Sequence, residues 1–270
     1  MFRLDNKIAV ITGGSGVLGR GMSLALARQG ATVVILARTE ENTRAVADEV
    51  RAAGGQALGV AADVLDRASL ERAAETIVAQ YGRIDILVNA AGGNRPQAIA
   101  APGGTSFFDL PTEALEYVFD LNFLGTLYAC QIFGRIMAGQ GEGVVLNISS
   151  MAAQRPLTRV VAYAAAKAAV DNFTRWLSVY MAREVGPGLR INAVAPGFFL
   201  GEQNRALLVD QSTGELTARG RQIVDHTPLG RFGEPEELDG TVIWLCSDAS
   251  RFVTGIVVPV DGGFSAYAGV

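Results

Sequence analysis

The sequence predicts a doubly wound parallel α/β sheet of about seven strands, with helices on both faces. Three observations carry that expectation. Short apolar runs alternate with helix-length segments almost to the end of the 270-residue chain. The runs are continuous in Val, Ile and Leu, as in strands buried on both faces of a parallel sheet. A glycine-rich turn joins the first run to the first helical segment.

The strands are expected at Lys7–Thr12, Thr32–Ala37, Ala57–Ala62, Ile84–Asn89, Gly143–Ser149, Leu189–Ala195 and Ile256–Val260. Helical periodicity fills Val17–Gln29, Glu40–Ala53, Arg67–Tyr81, Thr112–Ala138, Val160–Val185 and Glu234–Ser247. Thr39 and Asp66 stand where helix N-caps belong, and Gly30, Gly54 and Gly82 where helices stop. Two segments break the rhythm: the Pro/Gly-rich stretch Gly92–Pro111, and Phe198–Pro228, which holds a helix-like piece. Long insertions after strand ends in such sheets cover the ligand crevice. The alternation runs unbroken across position 150, so a single domain over 1–270 is expected.

Composition removes several classes of function. With 49% hydrophobic and 19% charged residues the chain has ample material for a core. A net charge of −4 without a long basic run argues against nucleic acid as a partner. His226 is the only histidine, so His-rich metal sites are out of reach and no metal is expected. Cys130 and Cys246 lie in apolar stretches without CxxC spacing and read as buried free thiols. The start of the chain lacks an export-signal pattern, and no stretch reaches the ~18 apolar residues of a membrane span. A cytoplasmic protein with no membrane partner is the expectation.

Ile8-Ala-Val-Ile-Thr12 leads into Gly13-Gly14-Ser15-Gly16-Val17-Leu18-Gly19 and then an amphipathic helix. Gly14, Gly16 and Gly19 satisfy G-x-G-x-x-G between strand and helix, the context of a Rossmann-type dinucleotide site. Glycines admit a pyrophosphate close to the backbone, and the helix N-terminus offers free N–H groups. The second strand ends in Ala37-Arg38, where an acidic residue would bind the ribose of NAD. Arg38 can pair with a 2′-phosphate instead, which favours NADP(H), with NAD(H) as the alternative. The first 150 residues then form the cofactor-binding part. The catalytic and substrate part is about 150–270, with a substrate loop at about 198–228.

Tyr163-Ala-Ala-Ala-Lys167 puts a phenol and an ammonium on one helix face. At ~5 Å and an effective dielectric of ~20, the charge favours the phenolate by ~3 kcal/mol. That brings a tyrosine towards working pH as a general acid/base.

With these pieces in hand, the chain resembles the short-chain dehydrogenase/reductase family from end to end. The matching residues are Thr12-Gly13 with its loop, Asp63-Val64, Asn89-Ala-Ala-Gly92, Asn122, Ser149-Ser150, Tyr163-x-x-x-Lys167, Pro196-Gly197 and Asp261-Gly262-Gly263. The resemblance implies Tyr163 as acid/base and Ser150 as holder of the substrate oxygen. It implies Lys167 as modulator of the tyrosine and ligand of the nicotinamide ribose, and Asn122 as anchor of a relay water. Asp63 and Val64 would meet the adenine, and Asn89, Ala90 and Gly92 would line the adenosine side. Pro196 and Gly197 would cradle the nicotinamide, and Gly13, Ser15, Gly16, Val17, Leu18 and Gly19 the phosphates. Val17 departs from the pattern, which has its middle glycine there. The family's habit of assembling implies a homo-oligomer, tetramer or dimer.

Asn192–Leu200 with Gln203-Asn204-Arg205, His226–Phe232 and the tail from Asp261 are similar to SDR-type D-mannonate oxidoreductases (fructuronate reductases). That implies a small sugar acid as substrate. Asn94, Arg95, Arg155, Gln203, Asn204 and Arg205 are the candidate substrate ligands, since a guanidinium matches a carboxylate. A reductase of 3-oxoacyl thioesters or other ketones is the enzymatic alternative, and a non-catalytic cofactor-binding sensor the alternative outside catalysis.

Overall fold

The computed structural model describes residues 1–101, 103–201, 205 and 207–269. Seven strands form one sheet in the order β3-β2-β1-β4-β5-β6-β7, each neighbour pair parallel. They are β1 (Ile8–Thr12), β2 (Thr32–Ala37), β3 (Gln56–Ala61), β4 (Ile86–Asn89), β5 (Gly143–Ile148), β6 (Leu189–Pro196) and β7 (Val257–Val260). The order reverses between β1 and β4, which opens a crevice at the carboxyl ends of these strands.

The continuous apolar runs do what two-sided burial requires. On β1, Ala9 and Ile11 face one core with Met22, Leu26, Val33, Ile35 and Leu245. Ile8 and Val10 face the other with Val34, Leu70, Ile77, Phe133 and Met137. Each such side chain contributes about 1.5–3 kcal/mol on burial, so a strand polar on one face would not survive here.

The helices are α1 (Val17–Arg28), α2 (Glu40–Ala52), α3 (Arg67–Tyr81), α4 (Thr112–Phe119), α5 (Gly125–Gln140), α6 (Val161–Tyr180), α7 (Ala218–Asp225) and α8 (Asp239–Cys246). The expected helix at Thr112–Ala138 is in fact α4 and α5 joined by a π-turn, Asp120–Leu124, that contains Asn122. The helix from Val160 likewise ends in a π-turn at Met181–Val185. Such insertions break the i to i−4 ladder and cluster at functional sites. Thr39 and Asp66 occupy N-cap positions, but neither side chain makes a capping hydrogen bond; Asp66 instead lies 3.7 Å from Arg72. Gly30, Gly54 and Gly82 end their helices with positive φ.

The tail from Asp261 folds back on the molecule. Phe264 is buried against Phe198 and the ring of His226, which also meets Tyr267. The single histidine therefore packs. Cys130 and Cys246 are buried and free, and burial pushes both thiols up to about 12. No helix among the described residues is long and apolar enough to cross a membrane.

Candidate active site

A cleft of about 700 Å³ lies over the switch between β1 and β4. Its floor is the turn from β1 into α1. Gly13 takes a φ of +63°, and a Cβ there would stand 2.6 Å from Ala91 Cα. A Cβ on Gly19 would stand 2.2 Å from the Gly13 carbonyl oxygen, so α1 sits this close to the strand end only with glycine at that position. Gly16 caps α1 without a side-chain hydrogen bond, leaving the first-turn N–H groups aimed outward. This is a cradle for an anionic group, and a pyrophosphate fits it.

Gly13, Ser15, Gly16, Val17, Leu18, Gly19, Arg38, Asp63, Val64, Ala90, Gly92, Ser150, Tyr163, Lys167, Pro196 and Gly197 all line this cleft. Val17, in place of the usual glycine, is accommodated by a glycine on the opposite wall: a Cβ on Gly201 would lie 3.0 Å from Val17 Cγ1. Arg38 is exposed at the mouth beside Thr39 and Asn42. Asp63 uses one carboxylate oxygen to accept from Leu65 N at 2.9 Å.

Two expected positions lie elsewhere. Asn89 does not line the adenosine side. It is 1% exposed and donates to Asn147 Oδ1 and Cys130 Sγ, tying β4 to β5 and α5 beneath the cleft. Asn122 is fully buried behind the wall. Its amide donates to the carbonyls of Gly93 and Val118, both at 2.7 Å, and its oxygen accepts from Gly93 N. Those bonds use both amide hydrogens and one lone pair of the oxygen, and they pin the Gly92–Gly93 turn to the π-turn.

Tyr163 stands in the first turn of α6, half-buried, and lines the cleft with Ser150. Lys167, one turn on, is buried; its Nζ donates to the Ile148 carbonyl at 2.7 Å and lies 5.7 Å from the Tyr163 ring centre. Burial pushes the lysine down to about 8, opposed by the Asp171 carboxylate. The tyrosine departs from expectation. Burial raises its pKa, and only the Ser150 hydrogen bond pulls it back. The lost hydration of the phenolate outweighs a lysine whose donor capacity goes to a backbone carbonyl.

The candidate substrate residues do not converge. Arg95 lies over the Tyr117 ring at 3.2 Å, and Asn94 Oδ1 accepts from Arg95 N. Arg155 donates twice to the Ser265 carbonyl, at 2.9 and 2.6 Å, fastening the tail. Arg205 is exposed, and its backbone N donates to the Gly201 carbonyl. None of these four lines the cleft. Gln203 and Asn204 lie outside the described residues.

Other residues sequence reasoning passed over do sit there: Asn42, Leu121, Ile148, Ser149, Phe198, Phe199 and Gly201. Phe198 and Phe199 follow Pro196-Gly197 directly, which was a usable signal. Arg219 of α7 is half-buried, and burial and the nearby charge of Arg159 together lower its pKa. Arg159 stands four residues before Tyr163, where its carbonyl accepts from Ala100 N. Neither arginine has an acidic partner among the described residues. Among the described residues no group of three or more His, Cys, Asp or Glu is placed to hold a metal ion.

Comparison with known proteins agrees with this geometry. The family model described as enoyl-(acyl carrier protein) reductase matches residues 15–265. An uncharacterized oxidoreductase of Bacillus subtilis, UxuB, is 52% identical over 99% of this chain and 98% of its own length. A provisionally assigned D-mannonate oxidoreductase from Haemophilus influenzae, solved with bound NAD, superposes with a TM-score of 0.92 at 42% identity, over 99% of this chain and 98% of that one. A gluconate 5-dehydrogenase from Burkholderia cenocepacia, solved with NADP and tartrate, superposes at 0.88 with 34% identity over 99% and 98%. The phosphate cradle, the Ser150–Tyr163–Lys167 arrangement and these relatives agree: the chain is an NAD(P)-dependent oxidoreductase of the short-chain dehydrogenase/reductase family.

Proposed function

We propose that the protein exchanges hydride with the carbonyl or secondary hydroxyl group of a small sugar acid, with D-fructuronate and D-mannonate as the substrate pair and NADP(H) as the preferred cofactor. The observation that carries the chemistry is Tyr163, lining the dinucleotide cleft together with Ser150 and one helical turn from Lys167. Bound cofactor supplies the hydride in reduction and, when oxidised, a cationic ring. Ser150 holds the substrate oxygen, and Tyr163 gives that oxygen its proton in reduction and removes it in oxidation. Lys167 supplies positive charge beside the phenol and a donor towards the nicotinamide ribose. Phe198 and Phe199 keep water from the reacting carbon.

Two features support the acid substrate. The solved relatives include a provisional D-mannonate oxidoreductase and a gluconate 5-dehydrogenase holding tartrate. Arg159 and Arg219 bring like charges together from the turn before α6 and from α7, with no acidic partner among the described residues. An anionic substrate group relieves that repulsion. Arg38 at the cleft mouth, with Ala37 where NAD-binding enzymes place a carboxylate, supports the 2′-phosphate. Assembly into a homo-oligomer is part of the proposal: Trp176 and Tyr180 stack on the outer face of α6 and are 57% and 44% exposed.

The test is a screen of uronates, aldonates, 3-oxoacyl thioesters and simple ketones with NADPH and NADH. Preference for a neutral ketone or a thioester removes the sugar-acid reading. In the same assay, Arg219→Ala is expected to lower kcat/KM for the acid roughly ten- to a hundredfold, the loss of a charge-assisted pair, and to spare a neutral ketone. Arg205→Ala is the comparison, and a larger loss there returns charge recognition to the loop after β6.

A further inference from the structure

Three consecutive residues at the end of β5 each hold one turn of α6. Ser150 acts on the Tyr163 phenol, the Ile148 carbonyl accepts from Lys167 Nζ, and Ser149 Oγ hydrogen-bonds Asp171 Oδ1. The helix residues stand at i, i+4 and i+8, a single stripe on one face. The proposed chemistry uses the first two pairs and leaves the third without a role.

That third pair is an expensive thing to bury without a use. Asp171 is 5% exposed and Ser149 2%, and a carboxylate loses several kcal/mol of hydration on burial. Its hydrogen bond comes from Ser149, and burial raises its pKa against the pull of Ser149 and the neighbouring cations. The charges bearing on it are Lys167 and Arg175, both from α6; β5 and the following turn present only neutral groups. Lys167 is 4% exposed, and its hydrogen bond goes to a neutral carbonyl. A buried ammonium with only that acceptor drifts to the neutral amine.

We propose that Asp171 is a positioning residue for the Tyr163–Lys167 couple: it is the buried counter-charge that keeps Lys167 an ammonium at working pH and, through Ser149, holds that turn of α6 in register with Ser150. The proposal rests on the reading of Tyr163 as acid/base. It accounts for two adjacent serines at the end of β5, one facing the substrate and one orienting the carboxylate. It also explains why burial takes Lys167 only down to about 8, with Asp171 opposing the fall. Loss of the carboxylate removes that opposition and leaves burial alone to act on the ammonium.

The chain offers a direct measurement, because Lys7 and Lys167 are its two lysines. With 13Cε-lysine labelling, NMR titration of the intact cofactor-free protein resolves Lys167 against Lys7, which is exposed and paired near Asp85 and Glu142. Asp171→Asn keeps the shape and an acceptor for Ser149. It is expected to lower the Lys167 titration by about one pH unit or more, leave Lys7 unmoved, and carry the alkaline limb of the kcat profile down with it. Asp171→Glu, which keeps the charge, is expected to restore both. An unchanged Lys167 titration in Asp171→Asn overturns the proposal. Should that variant fail to fold, Asp171→Glu carries the test, and a fall of a pH unit there overturns it. Full turnover by Tyr163→Phe removes the acid/base reading and leaves the lysine titration untouched, so the two failures are distinguishable.

Discussion

Replacing Lys167 by methionine should make the protein more stable and catalytically dead. Lys167 is 4% exposed, and burial takes its pKa from 10.5 to about 8 against the pull of Asp171. A fall of that size corresponds to ~3 kcal/mol by which the fold holds the lysine proton less well than the unfolded chain does. Methionine matches the length without the charge. It gives up the hydrogen bond to the Ile148 carbonyl, ~1 kcal/mol net. The expected gain at pH 7 is about 2 kcal/mol, or a rise in Tm of roughly 5 °C for a chain of this size.

The sign of the pH dependence makes this a sharper test than the magnitude. Between pH 8 and 10.5 an unfolded lysine keeps the proton that the folded one has released, so wild-type stability gains from this group as pH rises through that window. Lys167→Met has no such group. Its advantage over wild type should be full below pH 8 and gone by pH 10.5. Urea unfolding of both cofactor-free proteins across pH 7 to 10.5 reads the difference, with other titrations cancelling between them. A variant no more stable than wild type at pH 7, or an advantage constant to pH 10.5, refutes the reasoning. Turnover should fall at least ~10²-fold, the usual worth of a group in the acid/base machinery.

Tyr163→Phe should leave thermal stability and cofactor binding near wild type and lower kcat by ~10²–10⁴; near-normal turnover on the best substrate of the screen would falsify the mechanism. Ala37→Asp with Arg38→Leu should weaken NADPH and tighten NADH in fluorescence titration, because a carboxylate accepts from the 2′-hydroxyl and repels a 2′-phosphate; tighter NADH than NADPH binding by wild type speaks against the preference at once. Asp239 is held up to about 6 by burial and by the neighbouring Glu236, and its buried Oδ1 has no hydrogen-bond partner among the described residues. The fold holds this proton more tightly than the unfolded chain, so its contribution is full below pH 4 and lost as pH rises through 6. Asp239→Asn should therefore raise the urea midpoint at pH 7, by about 1 kcal/mol once solvent screening is allowed for, and leave it unchanged at pH 3.5.

What was legible in the sequence is what periodicity and backbone sterics dictate. A strand buried on both faces has no polar position to spare, so Ile8–Thr12 and Val33–Leu36 announce themselves. Gly13 and Gly19 are forced by contacts under 3 Å from any added Cβ, which is why the phosphate loop reads from the sequence. Where the helices break was not legible. The π-turn at Asp120–Leu124 is held by Asn122 bonding across to Gly93, about 30 residues away in sequence. No local propensity encodes that bond. The surroundings of the tyrosine were not legible for a related reason: spacing shows that a lysine stands one turn away, but not that its Nζ donates to the Ile148 carbonyl.

The substrate residues were the least legible, and the arginines show why. The chain uses 21 arginines against two lysines, so a guanidinium in a loop is no signal in itself. What separates a ligand from a fastening is whether the structure has already spent it. Arg95 is spent on Tyr117, Arg155 on the Ser265 carbonyl, and Arg231 on Glu237. Arg219 is different: burial and the nearby charge of Arg159 lower its pKa, and neither of the two has an acidic partner among the described residues. Like charges brought together without an acidic partner among the described residues are what an anionic ligand would relieve, and that juxtaposition of residues 60 apart in sequence shows only in the folded chain.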